Sequence, residues 1–216
     1  MRRTVLALTA AMAALVAAPV AAQDRFEVSG FYGWTLVDGS ALPPPMALGP
    51  AYVRADARDS ASFGFTFGYW LDSTFEVELL WSRQPTTLDV TGNGPSRSGS
   101  MGIHNAHGQV VYHFGDPENV GRPFVFGGLG ATYYGDAVFQ PKTEPGSLRF
   151  SWAFGGGLKV YPSRRVGFKA MVRFVPTYIA PGETGLRCDL TPDCWTNSGA
   201  ANSIQIEFSG GVIVRF

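Results

Sequence analysis

Between Ile204 and Phe216 the chain reads IQIEFSGGVIVRF, an alternation that keeps its phase for thirteen residues and ends on an aromatic. Ile204, Ile206, Phe208, Val212, Val214 and Phe216 share one face; Gln205, Glu207, Ser209 and Arg215 share the other, with Gly210 and Gly211 between. A two-residue period requires an extended strand, because successive side chains point to opposite sides. Soluble strands usually run to about 5–6 residues, whereas a tilted strand crossing a bilayer needs roughly 9–11. A membrane strand in turn constrains the whole chain, since backbone polar groups of strands are satisfied in hydrocarbon only within a closed sheet.

Seven further segments carry the same period. Phe26 to Leu36 sets Phe26, Val28, Tyr32, Trp34 and Leu36 on one face. Phe63 to Leu71 sets five large apolar residues against Gly64, Thr66, Gly68 and Trp70, and Phe75 to Trp81 opposes Phe75, Val77, Leu79 and Trp81 to Glu76, Glu78 and Leu80. In the fourth, Ala106, Val110, Tyr112 and Phe114 oppose Asn105, His107, Gln109 and His113. The fifth, Pro123 to Tyr134, is apolar on both faces and leaves its orientation open. The sixth and seventh set Phe150, Trp152, Phe154, Leu158 and Val160 against Lys159 and small residues, and Val166, Phe168, Ala170, Val172 and Phe174 against Lys169, Met171 and Arg173. Eight is an even count, as closure of an antiparallel barrel requires.

The connections alternate in length. Leu71 to Thr74, Gly115 to Arg122 and Tyr161 to Arg165 are short and rich in turn residues. The stretches near Val37 to Ala61, Arg83 to Ser100, Gly135 to Ser147 and Ile179 to Asn202 are long, polar and full of Gly and Pro. The expected fold is all-β: an eight-stranded antiparallel transmembrane up-and-down β-barrel with short periplasmic turns and long extracellular loops.

The start of the chain fits export. Met1-Arg2-Arg3 is basic, Thr4 to Ala18 is an uncharged apolar run broken by Pro19, and Val20-Ala21-Ala22 supplies small residues for a signal peptidase. Residues 1–22 are read as a cleaved signal peptide, in preference to a helical anchor, and 23–216 as one barrel domain. The whole chain has 17 basic and 17 acidic side chains, so losing Arg2 and Arg3 leaves a net charge of about minus two and gives no pointer to nucleic acid. Every later apolar stretch is interrupted by polar residues or glycine, so a membrane reading rests on strands.

A soluble eight-stranded barrel is the closest rival, and it would put the apolar faces inside. Here those faces carry large aromatics grouped at two heights: Trp34, Trp81, Trp152 and Tyr178 toward the long loops, and Tyr69, Phe75, Tyr112, Phe114, Phe168 and Phe216 toward the short turns. Two such girdles suit two membrane interfaces. The opposite faces carry small residues and charges. Strand direction gathers Glu76, Glu78, Lys159, Lys169 and Arg215 in the short-turn half of the lumen, with Arg173 and Glu207 higher; isolated charges in so narrow a space are costly, so they are expected to pair and plug it.

Three histidines invite a chemical reading. His104 and His107 face opposite sides of a strand, and His107 and His113 lie about 20 Å apart at roughly 3.4 Å per residue, too far to share a metal ion. Gly127-Gly128-Leu129-Gly130 and Gly155-Gly156-Gly157 are read as close-packing or bending positions, because neither opens a helix as a nucleotide loop must. Cys188 and Cys194, the only cysteines, are expected to form a disulfide in the last long loop of an exported protein. No metal, cofactor or catalytic residue is expected.

The mature chain resembles the small outer-membrane β-barrel superfamily that includes the OmpA transmembrane domain and the opacity and Ail-like surface proteins. The resemblance rests on Phe124-Val125-Phe126-Gly127-Gly128-Leu129-Gly130, on Trp152-Ala153-Phe154-Gly155-Gly156-Gly157-Leu158-Lys159, and on the ending Val212-Ile213-Val214-Arg215-Phe216. It implies a bacterial outer-membrane location, a monomer, and contacts with outer-membrane lipid and lipopolysaccharide. It also implies recognition by the barrel-assembly machinery of a terminal signal formed by Phe208, Val212, Val214 and Phe216. No peptidoglycan-binding domain is expected after Phe216. The resemblance specifies architecture and transfers no active site; the His-x-Ser signature of lipid A deacylases is missing, since Ala106, Gln109 and Gly115 stand two positions after the three histidines. The leading expectation is a structural or adhesion-like role through the long loops. The alternatives are a narrow channel or transporter for small or hydrophobic molecules, as in the OmpW-like barrels, and, less favoured, a lipid A-modifying enzyme.

Overall fold

A computed structural model describes residues 25–38, 52–179 and 201–216. It contains eleven strands: β1 (Phe26–Asp38), β2 (Tyr52–Ala57), β3 (Ser60–Trp70), β4 (Phe75–Gly92), β5 (Arg97–His113), β6 (Gly121–Tyr134), β7 (Ala137–Val138), β8 (Thr143–Glu144), β9 (Ser147–Val160), β10 (Val166–Ile179) and β11 (Ala201–Arg215). Eight of them close a ring in which β1 pairs with β3 and β11, and the order continues β3–β4–β5–β6–β9–β10–β11, antiparallel throughout. Neighbours in the ring are neighbours in sequence, and the described residues contain no helix.

One rim carries the connections 71–74, 114–120 and 161–165 together with the first and last residues of the ring. Its tightest turn is fixed locally, where Asp72 Oδ1 accepts the backbone N–H of Thr74 at 2.7 Å and of Phe75 at 2.8 Å. This Asx geometry gives the backbone a partner that the ladder cannot supply there.

At the opposite rim the stretch from Arg83 to Ser100 is mostly paired strand, which corrects its reading as an irregular loop. β4 runs on to Gly92 and β5 begins at Arg97, the two paired from Val90↔Arg97 downward. Gln84, Thr86, Leu88 and Val90 are buried in strict alternation, so the period outlasts the barrel wall; the polar Thr86 and Thr87 are β-branched, and Pro85 faces outward. β2 pairs along β4, while β7 joins β5 and β8 joins β7. Together they bury Ala55, Leu88, Val90, Met101, Ile103, Tyr134 and Phe139 in an apolar cluster above the barrel. The readings placed in 39–51 and 180–200, including Cys188 and Cys194, lie outside the described residues.

The lumen departs from the expectation of small and charged residues alone. Phe31, Leu80, Val111, Phe124, Phe126, Ala153, Met171 and Val175 form a second buried apolar cluster inside it. This also settles β6, which turns Phe124 and Phe126 inward and Val125 and Leu129 outward. Aromatic rings fit a narrow barrel because glycines face them. A Cβ on Gly157 would stand 2.1 Å from the Ala170 carbonyl oxygen and 2.9 Å from Phe124 Cζ, and one on Gly155 2.1 Å from the Val172 carbonyl oxygen and 2.9 Å from Phe126 Cζ. Large residues on one wall against none on the opposing strand is how a small barrel fills its interior.

Candidate functional site

The turn-rim half of the lumen holds a continuous network of buried charge. Lys159 Nζ donates to Glu76 Oε2 at 2.7 Å and to Glu27 Oε1, so one ammonium bridges β9, β4 and β1. Lys169 Nζ donates to Glu78 Oε2 at 2.7 Å, and Gln109 Nε2 donates to Glu78 Oε1 at 2.5 Å. Glu76 Oε2 also meets His113 Nε2 at 2.9 Å, and the Tyr161 hydroxyl donates to Glu27 Oε2 at 2.8 Å. Arg215 lies 3.6 Å from Glu27 and stacks over the Tyr161 ring at 3.9 Å. Space for the Glu76 carboxylate comes from Gly68, where a Cβ would sit 1.9 Å from Glu76 Oε1.

Trp70 closes this network toward the rim. Its ring stacks on His113 at 4.3 Å and carries the guanidinium groups of Arg122 at 4.9 Å and Arg215 at 5.1 Å over its face. Arg122 Nη2 donates to the Ser73 carbonyl, which ties the mouth of the lumen to the β3–β4 turn. In that turn the N–H groups of Phe75 and Thr74 hold the Asp72 carboxyl below the usual aspartate range.

A second polar network lies higher in the lumen, toward the opposite rim. Arg173 Nη2 donates to Glu207 Oε2 at 2.9 Å and to Ser82 Oγ at 2.7 Å. Asn105 Nδ2 donates to Gln205 Oε1 at 3.0 Å, and Thr132 Oγ1 donates to Asn105 Oδ1 at 2.7 Å and to Ser151 Oγ at 3.0 Å. His107 Nε2 lies 3.0 Å from Ser151 Oγ, but His107 Nδ1 has no hydrogen-bond partner among the described residues. A serine–histidine pair without a carboxylate behind the imidazole lacks the group that orients a catalytic base.

Among the residues singled out from sequence, Glu76, Glu78, Lys159, Lys169 and Arg215 meet in the lower network, and Arg173 meets Glu207 in the upper one. Phe208, Val212, Val214 and Phe216 share the outer face of the last strand and its end, where the Phe216 N–H bonds to the Phe26 carbonyl at 2.8 Å. Trp34, Tyr178, Phe75, Tyr112, Phe114 and Phe168 are exposed on the outer wall, and Trp81, Trp152 and Tyr69 are partly so. Phe75 packs on Tyr112 and Tyr112 on Phe114, while Trp81 contacts Phe65 and His104.

Glu27, Trp70, His113, Arg122 and Tyr161 belong to the lower network and were not assigned to it from sequence. For Glu27 a signal existed, a carboxylate alternating between Phe26 and Val28. Trp70 and His113 were legible as inward-facing but not as partners. Arg122 and Tyr161 fall in stretches read as turns, where the period says nothing about facing.

No family model and no curated protein matches the sequence. Solved structures do. Neisserial surface protein A superposes with a TM-score of 0.58 at 15% identity, covering 88% of this chain and 97% of that one. The outer membrane protein OprG from Pseudomonas aeruginosa gives 0.54 at 15%, covering 89% and 96%. Ail, the attachment invasion locus protein of Yersinia pestis, gives 0.50 at 13%, covering 90% and 100%. The chain has the fold of these small eight-stranded outer-membrane barrels.

Proposed function

We propose that this chain is an exported integral barrel of the bacterial outer membrane, with a structural or surface-interaction role and a lumen plugged by its own side chains. The observation that carries this reading is the filling of the interior. A buried apolar cluster drawn from β1, β4, β5, β6, β9 and β10 is interleaved with two hydrogen-bonded polar networks, Val111 standing level with Glu76 and Val175 with Gln205. An interior filled by packed side chains, apolar ones among paired charges, opposes a hydrated path. In this reading the short turns face the periplasm, the β4–β5 hairpin stands outside, and the outward apolar residues contact lipid and lipopolysaccharide. The terminal strand serves barrel assembly, and the loop carrying Cys188 and Cys194 is stapled by a disulfide. The names of two similar structures, a surface protein and an attachment invasion locus protein, support an outward-looking role. The partnerless Nδ1 of His107 supports a non-catalytic one.

The test is a planar-bilayer recording of the purified, folded barrel. No steady conductance is expected. Steady conductance that Glu78→Ala abolishes would replace this reading with a narrow channel.

A further inference from the structure

The mouth of the lumen at the turn rim is a cleft of about 320 Å³ lined by Arg25, Trp70, Asp72, Ser73, Arg122 and Arg215. Three guanidinium groups converge there with an indole as the floor. Arg122 is 95% buried (relative exposure 5%), and although its Nη2 bonds to the Ser73 carbonyl, its Nε has no acceptor among the described residues. Nε and Nη2 of Arg215 and Nε1 of Trp70 are buried without a hydrogen-bond acceptor among the described residues as well, Arg215 Nη2 standing 3.6 Å from Glu27 Oε2. Asp72, which lines the cleft, is turned onto its own loop by the Thr74 and Phe75 N–H groups. Arg25 Nη1 points to the Tyr69 hydroxyl at 3.5 Å.

The charge balance points the same way. Among the residues lining the cleft, three guanidinium groups stand against one carboxylate, that of Asp72. Buried guanidinium N–H groups that lack acceptors favour an anion beside them. Guanidinium forks match the paired oxygens of a phosphate better than they match a spherical ion.

We propose that this cleft binds a phosphate group, held by Arg122, Arg25 and Arg215 against the Trp70 indole. Free phosphate and a phospholipid headgroup share that chemistry, and both have access to a cleft at the rim. The probe is the indole N–H resonance of Trp70, identified by its loss in Trp70→Phe, in the full barrel folded in a maltoside detergent that contains no phosphate. Inorganic phosphate added at constant ionic strength is expected to shift the resonance saturably, and chloride is not. Arg122→Gln and Arg25→Gln should each weaken the apparent affinity at least tenfold; should Arg122→Gln not fold, the exposed Arg25→Gln carries the comparison. Dihexanoyl phosphatidylglycerol in place of inorganic phosphate distinguishes the sources: a shift with the lipid alone assigns the site to a headgroup, and one with inorganic phosphate alone to the free ion. Equal shifts with chloride and phosphate, no saturable shift with either phosphate source, or unchanged affinity in the arginine variants would overturn the proposal.

Discussion

Lys159 is fully buried and shared by Glu27 and Glu76, so its removal leaves two carboxylates facing each other in the lumen. Breaking a buried ion pair from one side costs about 3–5 kcal/mol, because the remaining charge loses its compensation. Lys159→Met is therefore expected to lower unfolding stability in micelles by about that much, and Lys159→Met with Glu27→Gln to recover part of it; an unchanged midpoint for the single variant would show that the network is idle. The exposed pair of Arg58 and Asp89 is the natural control, since solvent screens it and Arg58→Ala should shift the midpoint little. Asp72 provides a pH test. Its folded pKa lies below the unfolded value because Phe75 and Thr74 donate to the charged form. The resulting stabilisation of the turn is present above the ordinary aspartate pKa and is lost as pH falls through the depressed folded value. Amide exchange at Thr74 and Phe75 should accelerate in that acid window beyond the intrinsic rate, and Asp72→Asn should remove the step.

At the scale of strands, the glycines separate two roles that composition alone confuses. Gly157 faces a carbonyl oxygen and an aromatic ring, whereas a Cβ on Gly127 would meet nothing within 4 Å. Gly157→Ala must push β9 away from β10 or displace Phe124, and overpacking of this kind costs about 1–3 kcal/mol. Gly127→Ala should be neutral in the same unfolding titration; equal losses at the two sites would refute the large-against-none packing of the lumen. Gly155-Gly156-Gly157 was legible as a close-packing element, but its partners were not, because which rings oppose it depends on strand register and no local pattern reports register. Seven wall strands were legible for a plain reason: one face of each is outward and apolar while the other carries small or polar residues, so the period is strong; β6, apolar on both faces, showed its extent but not its facing. The upper parts of β4 and β5 escaped notice because their outward face is polar and their inward face mixes Gln84 and Thr86 with Leu88 and Val90. Without contrast between faces, a strand reads as a loop.

For the molecule as a whole, the decisive contrast is between what the wall shows outside and what it holds inside. Tyr32, Phe65, Leu79, Leu129, Leu148 and Phe168 are each more than half exposed on the outer wall, while Arg173, Lys159, Glu27, Glu76 and Glu78 are wholly enclosed. A soluble barrel of the same strand count would invert this, since a continuous apolar band far exceeds the patches that water-exposed surfaces carry. Tryptophans sample the two sides: Trp34 is 52% exposed on the outer wall and Trp70 is 6% exposed in the lumen mouth. In bilayers containing brominated acyl chains, a variant retaining only Trp34 should be strongly quenched. A variant retaining only Trp70, with the other tryptophans replaced by phenylalanine, should keep most of its emission because the wall stands between its ring and the chains. Bromine position adds depth: quenching of Trp34 should peak for bromines near the headgroup, and that of an added Trp at Leu79 for bromines deeper in the chain. Equal quenching of Trp34 and Trp70, or none of either, would mean that lipid does not surround this wall, and the membrane reading would fall with it.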